Sequence, residues 1–152
     1  GIDALKQSGK DFVYGDLELF SKNKNIKYCI QKGDVKYKDK INFIMPRINQ
    51  PTIIFRKSFF TQVGFQDISY KVAPDYDWLL RGHKIGLEGK YVENLITKFS
   101  IDGNSNVNFF KGLKEVRDSS FKYGGSIIWT NYYFFKAILG YFYRKYFDGK
   151  ND

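Results

Sequence analysis

The hydrophobic period of this sequence changes at residue 108, and that change confines the chain to an α/β architecture. Upstream, apolar residues alternate with polar ones or gather in short runs; downstream they recur every three or four positions. Residues 10–20 (KDFVYGDLELF) alternate, with aromatic and β-branched content, and predict a strand. A polar turn at 21–25 and a second strand pattern at Ile26–Gln31 make a hairpin. Residues 33–42 are charged and weakly patterned, a short helix or a loop. The run Ile53-Ile54-Phe55, after Pro51 and Thr52, reads as a short buried strand. Ser58 stands where it would cap a helix running to Val63, with Gly64 as its stop. Residues 65–74 form a loop, and Pro74 suits a first helical turn. A helix over 75–85 stops at Gly86, and Gly89–Ser100 supplies another strand. At the front, Ile2-Asp3-Ala4-Leu5 reads as the end of a helix, and the start as a fragment boundary.

Two helices are predicted downstream, over 109–123 and 126–147, divided by Gly124-Gly125. On the second, Ile128, Tyr132, Phe135, Leu139, Phe142 and Tyr146 form one apolar ridge, with Lys136, Gly140, Arg144 and Lys145 largely off it. Asn131 and Lys136 near the middle spoil a transmembrane span. The basic, aromatic pattern suits a bilayer surface or a partner's groove; the plainer alternative is a helix packed on its own domain.

Composition narrows the function classes. Aromatics make up 19% of the 152 residues, which serves core packing, sugar stacking or seating at a membrane. The net charge of +9 calls for an anionic partner. It is spread along the chain, with Lys far outnumbering Arg, so a membrane surface ranks above nucleic acid. Cys29 and His83 are single instances of their types. They exclude an internal disulfide and a Cys/His zinc set, count against a Cys/His nucleophile pair, and point to a reducing, cytosolic location. His83 falls near a helix end, where a cation suits the macrodipole. No phosphate-cradling Gly-rich loop and no Gly-x-Ser-x-Gly elbow occurs. Any chemistry must therefore fall to carboxylates.

The informative stretch is Lys71 to Arg81 (KVAPDYDWLLR). Asp75 belongs to the first helical turn, where unpaired N–H groups and the dipole favour a carboxylate. Asp77 and Arg81 are four apart and predict a structural pair along the helix. Asp75 projects in a different direction from Asp77, free to face a cleft.

These segments resemble the C-terminal half of family 2 glycosyltransferases. The resemblance is carried by an apolar strand and Arg/Lys-Ser-Phe-Phe helix (PTIIFRKSFFTQVG, 51–64), a loop (FQDISY, 65–70) and an acidic helix (APDYDWLLR, 73–81). Val13-Tyr14-Gly15-Asp16 is similar to that family's Tyr-Gly-Asp strand, residues 45–52 to the segment before its apolar strand, and residues 99–106 loosely to its Gly-Gly-x-Ser loop. The likeness spans most of residues 10–106. Many members carry Glu before the acidic helix's first Asp, where this chain has Pro74, and often His where it has Asn49-Gln50.

The resemblance implies a partial GT-A-like mixed sheet with flanking helices and a C-terminal helical pair. Residues 1–106 would form the acceptor-side half, without the nucleotide-binding half, and 107–152 the amphipathic helices. It implies inverting transfer of a sugar from a nucleotide diphosphate donor to an acceptor hydroxyl, in polysaccharide or lipid-linked glycan synthesis. Asp75 would be the catalytic base, and Asp16, Asn49, Gln50 and Trp78 the acceptor contacts. A divalent metal, Mg or Mn, would accompany the half that precedes residue 10 in the family, and the isolated chain would be inactive. The location implied is cytoplasmic, peripheral on the inner face of the plasma membrane. The rival reading is a non-catalytic module that binds a membrane or a partner.

Overall fold

The computed structural model describes residues 1–21, 26–100 and 108–147. It is a mixed α/β chain whose four-stranded sheet is built around one strand, β1 (Phe12–Ser21). β2 (Ile26–Gln31) runs antiparallel to the second half of β1, from Leu17 to Ser21. The two-residue β3 (Ile54–Phe55) is antiparallel to its first residues, Phe12 and Val13. β4 (Gly89–Ser100) is parallel to β1 from Phe12 to Phe20. Residues at both ends of β1 thus pair on two sides at once, so β2 and β3 share the edge opposite β4. Phe12 to Leu17 is buried without interruption although the sequence alternates.

The β1–β4 register slips between Tyr14 and Asp16, so that β4 bows out between Tyr91 and Ile96. Gly15 lies at that slip. A Cβ there would sit 1.9 Å from the Leu95 carbonyl oxygen, which no side chain tolerates.

Among the described residues, five α-helices accompany the sheet. α1 (Ile2–Ser8) ends on Gly9 in a left-handed conformation. α2 (Lys57–Val63) begins one residue before Ser58, with Arg56 at the N-cap and no side-chain cap, which corrects the expected Ser58 cap. Arg56 fixes this start differently: its guanidinium donates to the carbonyls of Lys10 (2.7 Å) and Leu5 (2.9 Å). β3 is also shorter and less buried than the run Ile53-Ile54-Phe55 predicts, because only two of its residues reach β1. Residues 33–42 hold a 3-10 turn at Tyr37–Asp39. α3 (Pro74–Lys84), α4 (Phe109–Lys122) and α5 (Ile127–Phe147) follow. No helix among the described residues is long and apolar enough to cross a membrane. The loop likened to Gly-Gly-x-Ser lies mostly outside the described residues.

The core is aromatic. Phe12, Tyr14, Tyr37, Phe59, Tyr76 and Trp78 join Ile41, Ile48, Leu79, Leu80 and Leu87 between the sheet and helices α2 and α3. Phe12 meets Phe59 edge to face at 5.8 Å, and Phe59 meets Trp78 the same way at 4.9 Å. The buried phenols are satisfied: Tyr14 donates to the Asp34 carbonyl, Tyr76 to that of Ile41, and Tyr37 accepts the Gly89 N–H. Burial drives the Tyr14 and Tyr76 hydroxyls well above the usual phenol range, so both stay neutral donors.

Candidate active site

The N-terminus of α3 is where a carboxylate and a rigid frame come together. Pro74 occupies the first helical position, and Ala73 before it offers no capping side chain. The frame is supplied from α4. Glu115 accepts the backbone N–H groups of Lys71 (3.0 Å), Val72 (2.8 Å) and Ala73 (2.8 Å). Burial alone would raise the Glu115 pKa, but these three N–H groups outweigh it and hold the carboxyl below its ordinary range. The loop entering α3 is thereby locked.

Asp75 is half-buried on this frame, with Oδ1 accepting the Tyr76 N–H at 2.9 Å. Burial raises its pKa, and the backbone N–H groups of Tyr76 and Asp75 only partly offset that. Among the described residues Asp75 forms no ion pair, and it is the carboxylate that is shifted upward while Asp16, Asp67, Glu88 and Glu115 are shifted downward. A half-buried carboxyl with a raised pKa and no ion pair is a candidate for proton exchange.

Asp77 has the opposite environment. It is 0% exposed, takes the Arg81 Nε–H at 2.9 Å and accepts the Ser119 hydroxyl at 3.1 Å. Arg81 also donates to the carbonyls of Val63 (2.7 Å) and Phe65 (2.8 Å), tying α3 to the end of α2. Asp75 and Asp77 point apart, as a two-residue separation on a helix requires.

The expected acceptor contacts, Gln50 apart, are engaged by partners of their own. Trp78 is 6% exposed, enclosed by Phe55, Phe59 and Phe60, and its indole N–H donates to the Gly64 carbonyl at 2.7 Å. This packing leaves little of the ring for a sugar, and what stays open lines a groove with Phe60, Phe65 and Gln66. Asn49 is 4% exposed and donates to the carbonyls of Gly15 (2.7 Å) and Gln31 (3.2 Å) while accepting from the Gln31 side chain. Every polar atom of that amide is taken, so it positions the strands instead of meeting an acceptor. Asp16 is 1% exposed, accepts the Gly33 N–H and the Tyr91 hydroxyl at 2.9 Å each, and pairs with Lys32 at 3.0 Å. Burial opposes ionisation there, but the Gly33 N–H, the Lys32 ammonium and the Tyr91 hydroxyl lower its pKa overall. Its buried Oδ2 has the Lys32 ion pair but no hydrogen-bond partner among the described residues. Gln50 alone of the four is exposed.

His83 is half-buried beside Tyr37 and Asn42. Burial, then Lys84 and Lys38, push its pKa down, so it is a neutral ring and not the cation expected at the helix end. Glu115 and Ser119 were not foreseen: a Glu and a Ser on an amphipathic helix read as solvated, and their partners lie about forty residues away. Among the described residues, no three His, Cys, Asp or Glu side chains converge to hold a metal. Compared with family models, with curated proteins and with solved structures, the chain gives no match.

Proposed function

We propose that this chain is the acceptor-side half of an inverting sugar transferase, with a GT-A-like sheet, and that Asp75 is its general base. The observation that carries the reading is Asp75 itself: half-buried, without a cation, raised in pKa, and mounted on a loop that Glu115 locks. An alcohol at neutral pH is a poor nucleophile, and a carboxylate within reach must take its proton as it attacks. The acceptor oxygen forms a bond to the sugar's anomeric carbon, the bond to the nucleotide diphosphate breaks from the opposite face, and the proton passes to Asp75. A base with a raised pKa binds that proton more firmly than an ordinary carboxylate would. The order of the strand, Arg-Lys-Ser-Phe-Phe helix, loop and acidic helix supports the same reading. Donor binding, and any divalent ion that assists the leaving diphosphate, are assigned to residues other than those described here, and no step runs through a metal. The site would work at the cytoplasmic face of a membrane, on a glycan or lipid-linked acceptor.

The test is transfer by the transferase polypeptide that carries this sequence. Asp75→Asn keeps the acceptor for the Tyr76 N–H but cannot take a proton, so turnover should fall by about 10²–10⁴-fold with nucleotide-sugar binding unchanged. The wild-type rate should decline as pH falls through the raised pKa, because only ionised Asp75 is active. Near-normal turnover by Asp75→Asn would remove the assignment.

A further inference from the structure

We infer that α5 is an interfacial helix that seats this chain on an anionic bilayer. Among the described residues, the helix is docked by one side. Thr130 meets Ser120 at 2.8 Å, Tyr133 stacks on Phe43, and Tyr141 stacks on Phe109 at 4.6 Å. On the other side Ile128, Trp129, Tyr132, Phe135, Leu139 and Phe142 are all exposed, Ile128 by 78% and Leu139 by 70%. Soluble surfaces rarely carry so continuous an apolar strip. Its 21 residues span about 32 Å, yet it is not apolar enough to cross a membrane. Aromatic rings with polar edges and flanking lysines suit the headgroup boundary, where the helix lies in the plane.

Charge selects the occupant. α5 contains no Asp or Glu, and residues 109–147 carry seven basic and two acidic side chains. Exposed Lys136 and Lys145 border the apolar strip, placed to snorkel toward phosphates. Beside Lys136, a groove of about 360 Å³ is lined by Arg47, Lys40, Asp34 and Tyr133. Asp34 is taken by Lys40 at 2.9 Å, so Arg47 and Lys136 are the cations left for a lipid headgroup phosphate. A second copy fits worse: packing α5 on α5 would bring lysines together with no acidic residue on either helix to offset them. The inference stands whether or not Asp75 is a base.

The chain carries its own reporter, since Trp78 is buried and Trp129 is exposed. The full 152-residue chain should co-sediment with phosphatidylcholine vesicles containing phosphatidylserine and show a blue shift of tryptophan emission. Binding to phosphatidylcholine alone should be about ten-fold weaker or more. Phe135→Asp with Leu139→Asp should lower partitioning by about ten-fold or more, and Leu139→Ser alone should lower it by less. Arg47→Glu with Lys136→Glu should abolish the preference for the anionic vesicles. All of these positions lie on the surface or the groove rim, and circular dichroism and thermal melting check that the variants fold. The inference is overturned if the wild type does not partition, or if folded Phe135 and Leu139 variants partition equally well. It is likewise overturned if the lipid-free chain sediments as a dimer that the Leu139 substitution splits.

Discussion

The rings between the sheet and α2–α3 and the rings along α5 are the same residue types in two different solvents. In the first region Phe12, Phe59, Tyr76 and Trp78 are buried, Phe59 meets Phe12 and Trp78 edge to face, and each buried hydroxyl or indole N–H has a backbone partner. In the second, Trp129, Phe135 and Phe142 stand in water. The regions are also joined by unlike forces. The core is held mainly by ring packing, whereas α4 and α5 add polar contacts to their ring stacks: Glu115 on the 71–73 loop, Ser119 on Asp77, and Ser120 on the Asn42 carbonyl and Thr130, beside Tyr133 on Phe43 and Tyr141 on Phe109. A high aromatic content therefore does not by itself describe a core; burial and hydroxyl satisfaction do.

Truncating one ring in each region breaks the symmetry of composition most sharply. Phe59→Ala should cost about 4 kcal/mol, because Phe55, Phe60, Phe12 and Trp78 all lose a face. Denaturant unfolding followed by circular dichroism measures it, and a cost below about 1 kcal/mol would mean the core repacks freely. The polar joint comes next. Asp77→Ala leaves the Arg81 guanidinium without its carboxylate and Ser119 without its acceptor, and should cost about 3 kcal/mol. If α4–α5 docks through this joint, the loss should appear with earlier hydrogen exchange in α4, ahead of β1.

How much of this was readable in the sequence depends on how local the cause is. Strand and helix periods announced β1, β2, β4 and the three long helices, since they are set by neighbours two to four residues apart. The Asp77–Arg81 pair was readable for the same reason. Ser58 misled because Arg56 is fixed by carbonyls about fifty residues earlier, which no local cap pattern reveals. The polar candidates Asp16 and Asn49 looked available to an acceptor, but their partners Gly33, Tyr91, Gln31 and Gly15 come from other strands and turns. Trp78 was a choice between core and platform, and the Phe55–Phe59–Phe60 packing that buries most of its ring cannot be read from local sequence.

A subtler substitution sharpens the comparison inside the core. Tyr76→Phe keeps the ring and removes the hydroxyl that Ile41 depends on, leaving a buried carbonyl without its donor. The expected cost is about 1 kcal/mol, read from the same unfolding curves. A neutral outcome would show that the ring alone accounts for this residue, and that hydroxyl satisfaction does not distinguish the two regions after all.

The smallest expected effect is the most informative about α5. Phe135→Ser replaces an exposed ring on the unpartnered side of the helix, so lipid-free stability should change by no more than about 0.5 kcal/mol. Helix propensity differs little between the two residues, and no neighbour across the fold loses a contact that supports the core. A large destabilisation would mean that Phe135 is packed in solution and that the face is already covered. A null effect on folding, set against the loss at Phe59, would leave an apolar residue with no structural reason to be there. Water then charges this surface a hydration cost that folding never recovers, and only something that removes the strip from water can offset it.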